Sequence, residues 1–174
     1  MKVLITGRPG IGKTTVFMRV VKELRRRGLD VAGFTCPEVR VGGRREGFDI
    51  IDIESGVRVP LARVREFCES GIRVGKYCVE ESSASEVGTK ALEKALAEAD
   101  VIAVDEVGPM ELAIPVLKER ILEVLRSRKP VLAVVHRKFA KRVSSSIGNS
   151  ILHVVTMQNR AYLHRRILEE LGVH

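Results

Sequence analysis

Nine consecutive residues near the amino end, Gly7-Arg8-Pro9-Gly10-Ile11-Gly12-Lys13-Thr14-Thr15, restrict this chain more than any other feature. They fit the pattern G-x-x-x-x-G-K-[ST] and follow the apolar run KVLI at 2–5. After them Val16, Phe17, Val20, Val21 and Leu24 recur at helical spacing, with Arg19, Lys22, Glu23, Arg25 and Arg26 on the other side and Gly28 where a helix stops. The unit reads strand, loop, helix. A polyphosphate tail carries closely spaced negative oxygens, and a loop of small residues lets successive backbone N–H groups turn inward around it at the positive end of the helix. Gly7, Gly10 and Gly12 allow backbone angles and close approaches that a Cβ forbids, and Pro9 stiffens the loop. All nine residues, Arg8, Ile11 and Thr15 included, are candidate nucleotide contacts. Lys13 offers its charge to the β- and γ-phosphates, and the Thr14 hydroxyl is a candidate Mg2+ ligand.

At 174 residues and 45% hydrophobic composition, the chain is expected to form one domain, 1–174, with a small insertion. No apolar run approaches a membrane span and MKVLITG lacks the features of a signal peptide, so a cytoplasmic protein is expected. Cys36, Cys68 and Cys78 match no zinc spacing and read as small, half-buried thiols. His136, His153, His164 and His174 form no metal-binding pair, so no transition metal is expected. Lysine and arginine number 30 against 22 acids, a net charge of +8, but the basic groups at 25–27, 126–129, 137–142 and 164–166 are scattered. With 4% aromatic residues and no tryptophan, stacking platforms are scarce and nucleic acid is not favoured as a partner. One glutamine and two asparagines among many charged residues lean towards a heat-adapted source.

Beyond the first helix, 29–35 reads as a second, buried strand. From 36 to about 64 the text changes to short alternating runs broken at Gly42-Gly43 and Glu54-Ser55-Gly56, an antiparallel excursion carrying Arg40, Arg44 and Arg45. It reads as a lid or, preferably, as an edge extension. Residues 70–80 are β-like, and 83–100 are helical with Val87, Ala91, Leu92, Ala95, Leu96 and Ala99 on one face. Then come a strand at 101–108, a helix at 111–127 with Pro115 in its opening turn, and a strand at 130–135. A short helix from Arg137, a strand at 151–156 and a helix at 159–172 complete the chain. This alternation predicts an α/β fold, a mostly parallel sheet with helices on both faces.

Ligands of such sheets gather outside the carboxyl ends of the strands, where Asp105 and Glu106 follow the run VIAV. Asp105 is a candidate Mg2+ ligand, and Glu106 is placed to orient or deprotonate a water for in-line attack on the γ-phosphorus. His136 and Arg137 end the next strand; Arg137 is a candidate transition-state cation, with Arg40, Arg44, Arg45 and Lys76 as alternatives. Asn159 and Arg160 follow the last strand, where chain comes close to the base, although Asn159 reads equally as a cap. No [NT]-K-x-D is present, so strong guanine selectivity is not supported.

In order along the chain, GRPGIGKTT, GFTCPEVRVGGRREGFDIIDIESG, RVGKYCV, VDEVGPMEL, VVHR and TMQNR resemble the small nucleoside-triphosphatases first described from thermophiles, which have human cancer-related relatives. The likeness runs nearly end to end, and the R-x-G-K-Y and D-E-x-G-x-M-E-L strings are its most selective parts. Pro109 and Cys78 are small departures. The resemblance implies a RecA-like P-loop core, a three-layer sandwich, and Mg2+-dependent hydrolysis of ATP, GTP, CTP and UTP with little base preference. It also implies Lys13 and Thr14 at phosphate and metal, and Asp105 and Glu106 in the acidic site. A monomer is expected. Two alternatives stay open: a nucleotide or small-molecule kinase, and a nucleic-acid-binding NTPase.

Overall fold

Period-two alternation along the first strand divides the core in two. In the computed structural model, which describes residues 1–174, β1 (Lys2–Thr6) sends Leu4 to one face of a sheet and Val3 and Ile5 to the other. The Val3 face is covered by α1 (Lys13–Arg26) and α6 (Leu163–Leu171), through Phe17, Val20 and Leu24 of the first and Ile167 and Leu171 of the second. The Leu4 face is covered by α2 (Glu81–Glu98), α4 (Pro115–Arg126) and α5 (Arg137–Ser146), which contribute Leu92, Leu117, Ile121 and Ala140. Helices thus lie on both faces, and the strand segments between them at 3–5, 101–104 and 131–135 are apolar because neither side meets water.

Five strands are parallel. In sheet order they are β10 (Ser150–Val154), β1, β9 (Val131–Val135), β8 (Val101–Val107) and β2 (Val31–Thr35). The β2–β8 approach is close: a Cβ on Gly33, whose φ is 138°, would lie 1.9 Å from the Ala103 carbonyl oxygen. Beyond β2 the same sheet continues antiparallel through β4 (Arg44–Asp52), β5 (Arg58–Val64), β7 (Tyr77–Val79) and β6 (Arg73–Val74), with β3 (Glu38–Val41) paired to β4. The excursion is therefore an extension of the main sheet, and residues 70–80 belong to it. Asp49, buried on β4, is held by Arg58 and Arg63 of β5.

Two sequence expectations are corrected. The helix expected over 111–127 is divided into α3 (Pro109–Leu112) and α4, because Ile114 precedes Pro115 and takes extended angles of φ −93° and ψ 109°. Pro115 then opens the new helix, where its missing N–H costs nothing. The thiol reading fails for two of the three cysteines: Cys68 and Cys78 form a disulfide, and Cys36 alone is free. The β6–β7 hairpin folds the chain back and brings their Cα atoms to 5.4 Å, within bridging range.

Candidate active site

The loop after β1 closes on α1 through glycines in left-handed conformations, Gly10 at φ 76° and Gly12 at φ 113°. No side chain caps the amino end of α1 and no acid stands in its first turn, so its unpaired N–H groups and positive dipole end face the loop. Lys13 Nζ donates to the carbonyls of Gly7 at 2.7 Å and Arg8 at 3.3 Å, which holds the ammonium over the mouth of the cradle. Pro9, Thr14 and Thr15 are exposed to the cavity above it, whereas Ile11 is buried beneath.

Across β9, the end of β8 supplies the acids. The Thr14 hydroxyl donates to Asp105 Oδ2 at 2.7 Å, joining the two candidate metal ligands. Asp105 is paired with Val134 and Val107 with Val135, so Glu106 is the extra residue of a bulge and its side chain is re-aimed. A Cβ on Gly108 would lie 2.8 Å from Glu106 Oε1 and 3.0 Å from Glu111 Oε2; glycine there leaves room for two converging carboxyl groups. Glu111 comes from α3 and is only 3% exposed.

Crowding of buried acids sets their protonation. Burial and then Glu106 push the Glu111 carboxyl up to about 8. Asp105 rises to about 6 through burial, against the Thr14 hydrogen bond and with a further push from Glu106. Glu106 is also raised by burial, but Lys13 opposes the shift. Burial, Glu111 and Asp105 drive the Cys36 thiol well above its ordinary range, so it stays protonated; its backbone N–H donates to the Asp105 carbonyl at 2.6 Å. His136 caps α5 by accepting from the Lys138 N–H at 3.2 Å, and burial and Lys13 lower its pKa.

One cavity of about 750 Å3 contains these groups and continues to the antiparallel extension. Lys13, Thr14, Asp105, Glu106 and Arg137 all line it. Among the alternative cations Arg45 lines it too, while Arg40, Arg44 and Lys76 do not. Arg45 is fixed: Nε donates to the Tyr77 hydroxyl at 2.8 Å, Nη1 donates to Glu38 at 3.1 Å, and the guanidinium lies 5.3 Å from the Phe48 ring centre. Asn159 and Arg160 lie elsewhere, on the β10 side of β1. Asn159 Oδ1 accepts from the Thr156 N–H at 2.9 Å and its amide donates to the Val154 carbonyl at 2.9 Å, closing a turn before α6. Arg160 Nη1 donates to the Ile11 carbonyl at 3.3 Å, against the outside of the cradle.

Sequence reasoning passed over Glu111, Cys36, Met110, Phe48 and Tyr77, all of which line the cavity. Glu111 had a signal, its place five residues after Glu106 in the same string; the others looked like ordinary strand or turn residues.

With a phosphate cradle after β1 and an acid pair ending β8, one strand removed across β9, the chain has the plan of a P-loop NTPase. Residues 2–168 match the model of a protein family described as NTPase. The chain is 41% identical over 168 residues to the nucleoside-triphosphatase THEP1 of Saccharolobus solfataricus, covering 97% of this chain and 91% of the relative. Its fold is similar to the crystal structure of THEP1 from the hyperthermophile Aquifex aeolicus, with a TM-score of 0.83, 30% identity and coverage of 99% and 100% of the two chains. The solution structure of a human cancer-related nucleoside triphosphatase is similar as well, with a TM-score of 0.80, 30% identity and 97% and 95% covered. The chain belongs to this NTPase family.

Proposed function

We propose that this protein hydrolyses nucleoside 5'-triphosphates, ATP, GTP, CTP and UTP alike, to the diphosphate and phosphate, with Mg2+ as cofactor. The observation that carries the reading is the Thr14–Asp105 contact of 2.7 Å with Glu106 bulged out beside it. A hydroxyl and a carboxylate are hard oxygen donors, and two of them suit Mg2+, which keeps its remaining positions for phosphate oxygens and water. Thr14 and Asp105 would hold the ion, and when bound it withdraws charge from the β- and γ-phosphates.

The chain's own residues perform the rest. Loop amides and the α1 end hold the phosphate tail. Lys13 leaves the Gly7 and Arg8 carbonyls for the β- and γ-phosphates, exchanging neutral acceptors for charged ones. Glu106, whose pKa burial raises with Lys13 opposing, accepts a proton from water as the water oxygen bonds to the γ-phosphorus. The bond from that phosphorus to the β-phosphate bridging oxygen breaks, and the nucleoside diphosphate leaves. Arg137, exposed at the cavity rim, faces the charge spread over the equatorial oxygens. Asn159 and Arg160, outside the cavity, are left with contact to the nucleoside end. Broad base tolerance follows because the cradle, Lys13 and the Thr14–Asp105 pair act on the phosphates alone and no [NT]-K-x-D is present to read a guanine edge. One chain supplies every group named, and we take it to act as a monomer of one cytoplasmic domain; no helix is long and apolar enough to cross a membrane.

Phosphate release measured with each of the four nucleotides, with Mg2+ and with chelator, tests the reading. Glu106→Gln is expected to bind nucleotide and lose turnover on the order of a hundredfold or more. Release undiminished in that variant would reject Glu106 as base, and no release by the unaltered protein from any of the four would reject the hydrolase.

A further inference from the structure

The cavity is larger than the phosphate reaction needs, and its surplus lies on one side. Along the carboxyl edge of the sheet the order is Asn159–Arg160 after β10, the cradle after β1, Arg137 after β9, Asp105–Glu106 on β8, Cys36 after β2, then Phe48 on β4 and Tyr77 on β7. A triphosphate seated in the cradle with its γ-phosphate at Glu106 has its nucleoside on the β1 and β10 side. The space from Glu106 to Tyr77 then lies beyond the γ-phosphate, on the side away from the nucleoside.

That space is built unlike the cradle. Phe48 and Tyr77 meet edge to face at 5.6 Å, and Val74 and Met110 add apolar wall. Arg45, the cation that lines this part of the cavity, is covered by the two rings and engaged by the Tyr77 hydroxyl and by Glu38, which it shares with Arg40, so the chamber offers no free cation to a phosphate dianion. Water alone needs no aromatic wall. Planar rings with polar edges fit such surfaces, and a neutral one fits better than a dianionic phosphate ester.

We propose that this chamber is an acceptor site for a neutral, ring-bearing alcohol of nucleoside size, and that the protein transfers the γ-phosphoryl group to it. Glu106 takes the proton of the acceptor hydroxyl, the hydroxyl oxygen bonds to the γ-phosphorus, and the bond to the β-phosphate bridging oxygen breaks. The products are a phosphorylated alcohol and a nucleoside diphosphate. Hydrolysis is the same reaction with water in the chamber. The inference rests on the triphosphate orientation given under the proposed function.

The test incubates the full chain with Mg2+ and ATP labelled at the γ-phosphate, with and without adenosine, guanosine, cytidine, uridine and thymidine, and separates free phosphate from phosphorylated nucleoside. Label is expected on at least one nucleoside, at the expense of free phosphate. Phe48→Ala is expected to lower the ratio of transfer to hydrolysis about tenfold, the loss of one aromatic contact, and thermal melting followed by circular dichroism verifies that it folds. Saturation-transfer NMR with the unaltered chain and a non-hydrolysable ATP analogue should show the same nucleoside bound. Active hydrolysis with no labelled nucleoside and no nucleoside signal overturns the acceptor site and leaves the hydrolase standing. An unaltered transfer ratio in folded Phe48→Ala overturns the chamber as its location. Neither hydrolysis nor transfer overturns both readings.

Discussion

Replacing Glu111 by glutamine should change how stability depends on pH, and the sign follows from burial. The wild-type carboxyl titrates near 8 in the folded protein, against an ordinary value of 4.5. Between those two values the folded state holds a proton that the unfolded state has released. Stability therefore falls as pH rises through the window, by roughly 1.4 kcal/mol for each pH unit over its central part. Glutamine has the same shape, keeps a hydrogen-bond donor and cannot ionise. The variant should thus gain on the wild type as pH rises, by on the order of several kcal/mol at the upper end. Carboxylates held low by arginines, such as Asp49 beside Arg63 and Arg58, follow the opposite rule: their stabilisation is lost as pH falls. They are common to both proteins and cancel in the difference. Denaturant unfolding of the two proteins without nucleotide, between about pH 5 and pH 8.5, gives that difference directly. Parallel profiles would refute the claim that Glu111 is buried as a neutral acid.

Lys13→Ala should lose nucleotide affinity on the order of a hundredfold, measured by calorimetry with a Mg-nucleotide, because the charged donor is gone. Thr14→Ala removes one metal oxygen, so activity should need on the order of tenfold more Mg2+; an unchanged titration would move the metal elsewhere. Cys68→Ser opens a loop of 10 residues and should cost about 2–3 kcal/mol, read as a lower melting temperature that reductant reproduces in the wild type. Gly33→Ala sets a methyl against the Ala103 carbonyl and should destabilise by roughly 3 kcal/mol or more; a variant that melts with the wild type would contradict the β2–β8 approach.

The parts of the molecule legible in the sequence are those whose constraints are local. Cradle residues 7–15 are consecutive, their glycines answer to backbone angles, and α1 advertises itself through the spacing of Val16, Val20 and Leu24. Asp105 and Glu106 could be placed because an apolar strand that ends in acids has few uses. Phe48 and Tyr77 could not. They meet only through the pairing of β4 with β5 and of β5 with β7, and a shift between Phe48 and Asp49 alters the β4–β5 register. No spacing in the text reports a bulge. The disulfide escaped notice for a similar reason, since a ten-residue separation becomes a bridge only after the β6–β7 turn reverses the chain. Glu111 was hidden by its setting, an acid at the start of a helical pattern, where a carboxylate is ordinarily solvent-facing.

Continuity of the sheet has a mechanical consequence. Ile51 is paired to Thr35 on the strand beside the acids, and Ala62 and Val79 carry the pairing onward to Tyr77's strand. Floor and far wall of the cleft are thus parts of one hydrogen-bonded sheet, joined at a β2–β4 seam of two residue pairs. A ligand lying along this sheet meets walls whose spacing is set by strand register, and whatever part of it projects past the sheet's edge goes unread.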